Sequence, residues 1–178
     1  ILAGDTQSFS CLVAKYEKMA YTIALRILEN REEAEEAVQD AFVKMYRALS
    51  DFHFDSKFST WFYRIVYRTA LTALRQQRMF VSYEEAGPVD LSNDEVESAT
   101  ALLEREDRKE MIARTLKKLP ADEALLLTLY YLEECSVEEI CQITELSASN
   151  VKVKLFRGRK RFYEVLQDKM KLETADLL

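Results

Sequence analysis

Apolar residues recur at the spacing of amphipathic helices along most of the chain. In the stretch 31–49 this apolar set consists of Ala34, Ala37, Val38, Ala41, Phe42 and Met45. Residues three or four positions apart share one face of a helix, so the pattern predicts a helix with this face buried. Similar spacing predicts helices over about 5–28 and 59–78. Ser59 or Thr60 is the expected N-cap of the third helix.

The C-terminal part predicts three further helices. Leu119-Pro120 precedes a helix that runs to about residue 132, since proline suits a first helical turn. Ser136-Val137-Glu138-Glu139 has the pattern of a capping box and opens a short helix to about residue 144. Ser147 caps a longer helix to about residue 169, with a buried stripe at Val151, Leu155, Phe162 and Leu166. A short helix, a tight turn and a longer basic helix form the layout of a helix-turn-helix.

Turn-forming residues are scarce, which bears on the fold class. Only three glycines and two prolines occur among 178 residues, which argues against an all-β fold. Gly87 and Pro88 fall in an acidic stretch that reads as a linker. The prediction is therefore an all-α protein with two small helical domains joined by an acidic flexible linker, the C-terminal one a helix-turn-helix. Their expected bounds are 1–80 and 106–178, with the linker over 81–105.

The charges are segregated along the chain, which matters more than their sum. The formal net charge is -6, yet no acidic residue occurs from Lys57 to Tyr83 or from Asn150 to Arg161. Two basic faces on an acidic chain suggest contact with an anionic polymer at two places.

The last basic helix has the residue types that a major groove requires. Short polar side chains near its N-terminus can reach base edges, while longer cations meet phosphates. The predicted DNA contacts are Ser149, Asn150, Lys152, Lys154, Arg157, Arg159, Lys160 and Arg161. The alternative is a solvated amphipathic helix without a ligand.

A second set interleaves aromatic rings with cations between residues 52 and 78. Rings stack on unpaired bases while cations follow the backbone of a single strand. The predicted contacts are His53, Phe54, Lys57, Trp61, Tyr63, Arg64, Tyr67, Arg68 and Arg75. The alternative is that most of these rings belong to the core. Phe62 is assigned to the core, and Tyr63 and Tyr67 are expected to keep exposed rims.

Several function classes find no support in the residues. The chain has one histidine, His53, no glycine-rich phosphate loop and no set of nucleophile and base, so we expect no enzyme, no metal and no cofactor. The cysteines Cys11, Cys135 and Cys141 lie among apolar neighbours and are expected to be reduced core residues of a cytoplasmic protein. No signal peptide is visible, and no apolar run reaches the ~20 residues of a membrane span, so no membrane insertion is expected.

Four segments, in order, resemble extracytoplasmic-function sigma factors of the bacterial sigma-70 family: 1–5, 33–46, 58–65 and 119–160. The resemblance implies that the chain binds core RNA polymerase, directs promoter-specific transcription initiation, is monomeric when free and has an anti-sigma factor as partner. The helix at 33–46 would dock on the polymerase. The implied polymerase contacts are Glu36, Gln39, Asp40, Phe42, Lys44 and Tyr46. Residues 52–78 would capture and melt the -10 element, and the helix from Ser147 would read the -35 duplex.

The chain departs from the family pattern at a few positions. Glu145 stands where the family usually has glycine, in a turn that favours left-handed backbone. Arg68 stands where the family often has asparagine, and Thr72 where it often has asparagine or aspartate. His53-Phe54 stands where the family usually has Arg-Gly. These changes imply an altered -10 preference. A helix-turn-helix regulator that acts without docking on core polymerase is the alternative function, and a small helical hydrolase is a third class.

Overall fold

The computed structural model describes residues 6–81 and 103–175, and every regular element in these ranges is a helix. The elements are α1 Thr6–Leu28, α2 Arg31–Ala48, a 3-10 turn Leu49–Asp51, α3 Phe58–Val81, α4 Leu103–Lys117, α5 Ala121–Tyr131, α6 Val137–Thr144 and α7 Ala148–Ala175. The all-α prediction is confirmed. Most of the predicted linker lies outside the described residues.

Helices α1, α2 and α3 pack against one another and form the N-terminal unit. The predicted apolar face of α2 is buried at all six positions. The ring of Phe42 lies 4.8 Å from that of Phe62 between centroids, so α2 and α3 share an aromatic contact. The side chain of Asn30 caps α2 by accepting the Glu33 N–H at 3.2 Å.

The predicted N-cap of α3 is wrong. The helix begins at Phe58, so Ser59 and Thr60 lie inside its first turn. Thr60 is only 2 % exposed, and its hydroxyl donates to Glu139 Oε1 at 3.3 Å. This threonine therefore faces a partner outside its own helix.

Helices α4 to α7 form the C-terminal unit, in which α7 packs closely on α5. Gly158 permits this approach, because a Cβ there would lie 3.2 Å from Leu127 Cδ1 and 3.3 Å from Glu123 Cβ. Val151 and Leu155 are buried as predicted, and Phe162 and Leu166 are half-buried. The longer helix is thereby fixed with one face turned to α5 and another to solvent.

The cysteines differ in burial. Cys135 is buried and Cys141 is half-buried, but Cys11 is exposed, so its assignment to the core is wrong. The neighbouring Phe9, Val13 and Tyr16 occupy the face of α1 that packs inward, which leaves Cys11 on the outer face.

The two units contact each other directly. Helix α6 packs along α3, and α5 packs against α1. Arg26 of α1 donates to the Leu116 carbonyl at 3.3 Å, and burial lowers the pKa of its guanidinium. The chain therefore adopts a closed arrangement in which one face of α3 is covered by the C-terminal unit.

Candidate nucleic-acid interface

The helix-turn-helix is defined by caps at both ends of α6. Ser136 Oγ accepts the Glu139 N–H at 3.2 Å, and Glu139 Oε2 accepts the Ser136 N–H at 2.8 Å, which confirms the capping box. Glu145 ends α6 with φ 62, in the left-handed region that the turn was expected to need. Ser147 Oγ accepts the Asn150 N–H at 3.3 Å and caps α7 as predicted. These caps set the angle at which α7 leaves the turn.

The predicted DNA contacts on α7 fall into two groups. Ser149, Asn150, Lys152, Arg157, Arg159 and Lys160 are exposed. Lys154 instead forms an ion pair with Asp122 of α5, and Arg161 with Glu123 at 2.9 Å. Lys154 and Arg161 therefore have partners within the C-terminal unit, and the solvent-facing cations are the other four.

The buried carboxylate of Glu123 holds Arg161 against α5. This carboxylate is 5 % exposed, and its Oε2 is buried with no hydrogen-bond partner among the described residues. Burying a carboxylate is costly unless a cation compensates it. Arg161 supplies that cation, so it supports the packing of α7 on α5.

Val153 and Phe156 share the solvent face of α7 with these cations and are 45 % and 64 % exposed. No sequence signal singled them out, although their offset from the buried Val151 and Leu155 places them on the opposite side of the helix. Exposed apolar groups beside cations are compatible with a contact to a thymine methyl in a major groove.

The segment before α3 forms an aromatic cluster around Phe52. The Phe52 ring lies 4.7 Å from Phe54, 4.9 Å from Trp61 and 5.6 Å from Phe58 between centroids. Phe54 has φ 60 and is 84 % exposed, so its ring stands at the surface of the cluster. His53 and Lys57 are exposed beside it. This cluster could present a ring to an unstacked base.

Tyr63 does not keep the exposed rim that was expected. It is 2 % exposed, and its hydroxyl donates to Glu133 Oε2 at 2.8 Å. Burial first, and then the bond to Glu133, raise the pKa of Tyr63. Tyr67 is half-buried, and burial likewise raises its pKa. The C-terminal unit thus covers part of the predicted base-binding face.

The cations that face α6, on α3 and at the residue just before it, are paired with carboxylates of the C-terminal unit. Lys57 Nζ lies 3.0 Å from Glu139 Oε1, and Arg64 lies 3.5 Å from Glu145 Oε1. Arg68 Nε donates to the same Glu145 oxygen at 2.8 Å. Arg75 is exposed further along the helix. The acidic partners were not singled out as candidates, because nothing local in the sequence shows which helix α6 meets.

The proposed polymerase face lies on α2. Glu36, Gln39 and Asp40 are exposed, and Tyr46 is 47 % exposed with its edge against Phe9 at 5.3 Å.

Two other residues proposed for this face have partners inside the fold. Lys44 Nζ donates to Thr69 Oγ1 at 3.2 Å. Phe42 is buried against Phe62, so it supports the face from beneath.

Other kinds of site can be judged within 6–81 and 103–175. In those ranges no group of three or more His, Cys, Asp or Glu side chains could hold a metal ion. Nor is any helix there long and apolar enough to cross a membrane.

Comparison with protein families gives two matches in chain order. Residues 12–79 match the family model described as Sigma-70 region 2, and residues 109–162 match the one described as Sigma-70, region 4. Among curated proteins, the RNA polymerase sigma-H factor of Pseudomonas aeruginosa is 32 % identical over 171 residues, which covers 92 % of this chain and 89 % of that protein. The ECF RNA polymerase sigma-E factor of Escherichia coli is 30 % identical over 164 residues, covering 88 % and 85 %.

Two solved structures share the fold. The sigma factor RpoE, solved in complex with the anti-sigma factor NepR from Bartonella quintana, superposes with a TM-score of 0.70 at 18 % identity, covering 90 % of this chain and 98 % of that one. CnrH, solved in complex with the cytosolic domain of CnrY, superposes with a TM-score of 0.57 at 24 % identity, covering 93 % and 92 %.

Proposed function

Because this chain belongs to the extracytoplasmic-function sigma factors of the sigma-70 family, we propose that α2 binds core RNA polymerase, α3 the -10 element and α7 the -35 element. The chain is an alternative sigma factor that directs transcription initiation. This function is supported chiefly by the presence of both family regions in chain order. The helices of both regions have polar faces exposed to solvent.

For the -35 duplex we propose that α7 enters the major groove. Ser149 and Asn150 stand at its N-terminal end, where short polar side chains can reach base edges. Arg157, Arg159 and Lys160 follow at solvent and would contact phosphates. Lys154 and Arg161 would contribute less, because both already neutralise carboxylates of α5.

For the -10 element we propose that the melted strand meets the aromatic cluster and the cations of α3. Phe54 and Trp61 would stack on bases, with His53 at the rim, while Lys57, Arg64, Arg68 and Arg75 follow the strand. In the closed arrangement Tyr63 and Tyr67 are covered or half-covered, so they would join only after the units separate.

For core polymerase we propose the exposed acids of α2, Glu36 and Asp40, together with Gln39 and Tyr46. The proposed domains are a region 2 unit within 1–80 and a region 4 unit within 106–178. An anti-sigma factor is the proposed protein regulator. This proposal is supported by family membership and by the shared fold of the sigma factor RpoE, which was solved in complex with the anti-sigma factor NepR.

Run-off transcription tests this function. Purified protein is added to core polymerase with promoters mapped from transcripts that appear on its overproduction. Transcription that requires the protein supports the proposal. Tight binding to an operator without polymerase, and no transcription with it, would instead favour a helix-turn-helix regulator.

A further inference from the structure

Three carboxylates of the C-terminal unit meet polar side chains of α3. They are Glu133 after α5, Glu139 in the first turn of α6, and Glu145 at the end of α6, spaced six residues apart. Their partners on α3 or just before it are Lys57 and Thr60 for Glu139, Tyr63 for Glu133, and Arg64 and Arg68 for Glu145.

These partners overlap with the surface proposed for the promoter strand. Lys57, Arg64 and Arg68 are the cations expected to follow its phosphates, and Tyr63 is one of its rings. Carboxylate and phosphate are both anionic acceptors that bind guanidinium groups through charge-assisted hydrogen bonds. One guanidinium face cannot hold both, so the C-terminal unit and the strand compete for the same groups.

Glu145 occupies the central place in this competition. Its backbone is left-handed at φ 62, a conformation that glycine adopts at less cost than any other residue. Its carboxylate nevertheless accepts from Arg68 and lies within ion-pair distance of Arg64. The turn that separates α6 from α7 is thereby tied to the helix proposed to melt DNA.

We propose that the chain holds itself closed, with the Glu145 carboxylate as a latch on Arg64 and Arg68 that excludes a promoter strand from α3. Glu139 on Lys57 and Thr60, and Glu133 on Tyr63, extend the same contact. DNA binding by α3 then requires the C-terminal unit to move away. This inference rests on the proposed function of α3.

Cys135 provides a reporter of opening. The thiol is buried, and it lies close enough to Lys57 for that cation to affect its pKa. Burial, with Glu139 and Glu133 nearby, raises that pKa to about 11, so the closed chain should react slowly with an alkylating reagent. Cys11 is exposed in the closed chain and serves as the internal reference when each alkylated peptide is resolved by mass spectrometry.

Three variants separate the loss of the Glu145 carboxylate from effects on folding and on net charge. Glu145→Gly removes the carboxylate while favouring the left-handed turn, and Glu145→Gln removes only the charge. Glu164→Gln makes the same charge change on α7, which has no contact with α1, α2 or α3 in the described ranges. Loss of two exposed ion pairs predicts a rise in Cys135 alkylation of about threefold to tenfold in both Glu145 variants and none in Glu164→Gln. Alkylation of the exposed Cys11 should stay unchanged in all of them.

The second readout is binding of a fluorescent single-stranded 20-nucleotide DNA of mixed sequence to the full chain. We expect a similar gain in affinity for both Glu145 variants. The double variant Arg68→Glu with Glu145→Arg should restore part of the protection of Cys135, because the pair between positions 68 and 145 is kept with its charges exchanged while Arg64 then faces a like charge.

The latch and the proposed function of α3 predict different outcomes and can fail separately. Unchanged Cys135 alkylation in both Glu145 variants would overturn the latch and leave the proposed function of α3 standing. If alkylation of Cys135 rises in a Glu145 variant but its affinity for DNA does not, the competition is overturned. That result would also count against α3 as a strand-binding surface.

Discussion

Arg68 of α3 and Glu145, at the turn between α6 and α7, contact each other across the interface between the units. Arg68 Nε donates to Glu145 Oε1 at 2.8 Å, and the second guanidinium nitrogen reaches the same oxygen. They lie 77 positions apart in sequence. This contact therefore joins the helix proposed to bind the melted strand to the turn of the helix-turn-helix.

The first prediction concerns pH. The hydrogen bond from Arg68 is the main reason that the pKa of Glu145 lies below its usual value, with Arg64 adding to it. Because the pKa of Glu145 is lowered in the closed state, its carboxylate stabilises the closed arrangement fully at pH values above the ordinary pKa of glutamate. That stabilisation is lost as the pH falls through the lowered pKa of the closed state. The closed arrangement should therefore hold near neutral pH and weaken below about pH 4.3.

Small-angle scattering, with circular dichroism to confirm helix content, measures this opening. The radius of gyration should rise on acidification in the wild-type chain before helix content falls. Glu145→Gln should already be expanded at pH 7 and change less. Identical titrations of the two proteins would contradict the role of Glu145.

The second prediction concerns the buried hydroxyl of Tyr63. Tyr63→Phe removes its hydrogen bond to Glu133. A hydrogen bond to a charged group contributes about 1.5–3 kcal/mol, so the closed arrangement should weaken by up to that amount. Cys135 alkylation measures the change. Tyr163→Phe, which loses a bond to Gln167 within α7, should leave Cys135 protected, and an equal effect of both variants would refute the interface assignment.

The third prediction separates two arginines of α7. Arg157 is exposed, so Arg157→Ala should weaken promoter binding and reduce its salt dependence by about one counterion, with unchanged thermal stability. Arg161→Ala should instead destabilise the C-terminal unit by about 1–3 kcal/mol, because it leaves the buried Glu123 carboxylate without its cation.

Binding isotherms at several salt concentrations and thermal melts distinguish these outcomes. Adding Glu123→Gln should restore much of the stability lost in Arg161→Ala. Arg157→Ala with wild-type affinity and salt dependence would show that the reading face of α7 lies elsewhere.

The fourth prediction separates surface from core on α2. Asp40→Ala should reduce affinity for core polymerase while the melting temperature stays the same, since Asp40 is exposed. Phe42→Ala should cost about 3–5 kcal/mol in the free energy of unfolding, because it empties a buried site against Phe62. Competition binding to core polymerase and denaturant unfolding measure the two effects. Normal core affinity in Asp40→Ala would remove this residue from the docking surface.

Local patterns predicted the helices well because their causes are local. The six buried positions of α2 and the capping box at Ser136 follow from spacing and capping chemistry within a few residues. The left-handed backbone at Glu145 was expected only from the resemblance to the sigma family. The third helix begins at Phe58, earlier than expected, and Thr60 in its first turn contacts Glu139 of the C-terminal unit instead of capping the helix.

Contacts between the units could not be predicted in the same way. The burial of Tyr63 and the pairing of Arg68 with Glu145 depend on how the two units meet. The pairing of Lys154 and Arg161 with carboxylates of α5 lies within the C-terminal unit, but it too depends on which helices meet after folding. From the sequence alone, every cation of a basic stripe is equally available to a ligand. Only the packing separates those that neutralise internal carboxylates from those left at solvent.

The central claim is that this chain lets polymerase open a promoter, and permanganate footprinting tests it most directly. The reagent attacks unstacked thymines, so it reports melting at the -10 element base by base. With core polymerase and this protein together, thymines of the -10 element should become reactive while the -35 duplex is protected from nuclease. Neither protein alone should give that pattern. A promoter that stays closed with both present, on DNA that this protein binds unaided, would contradict the account.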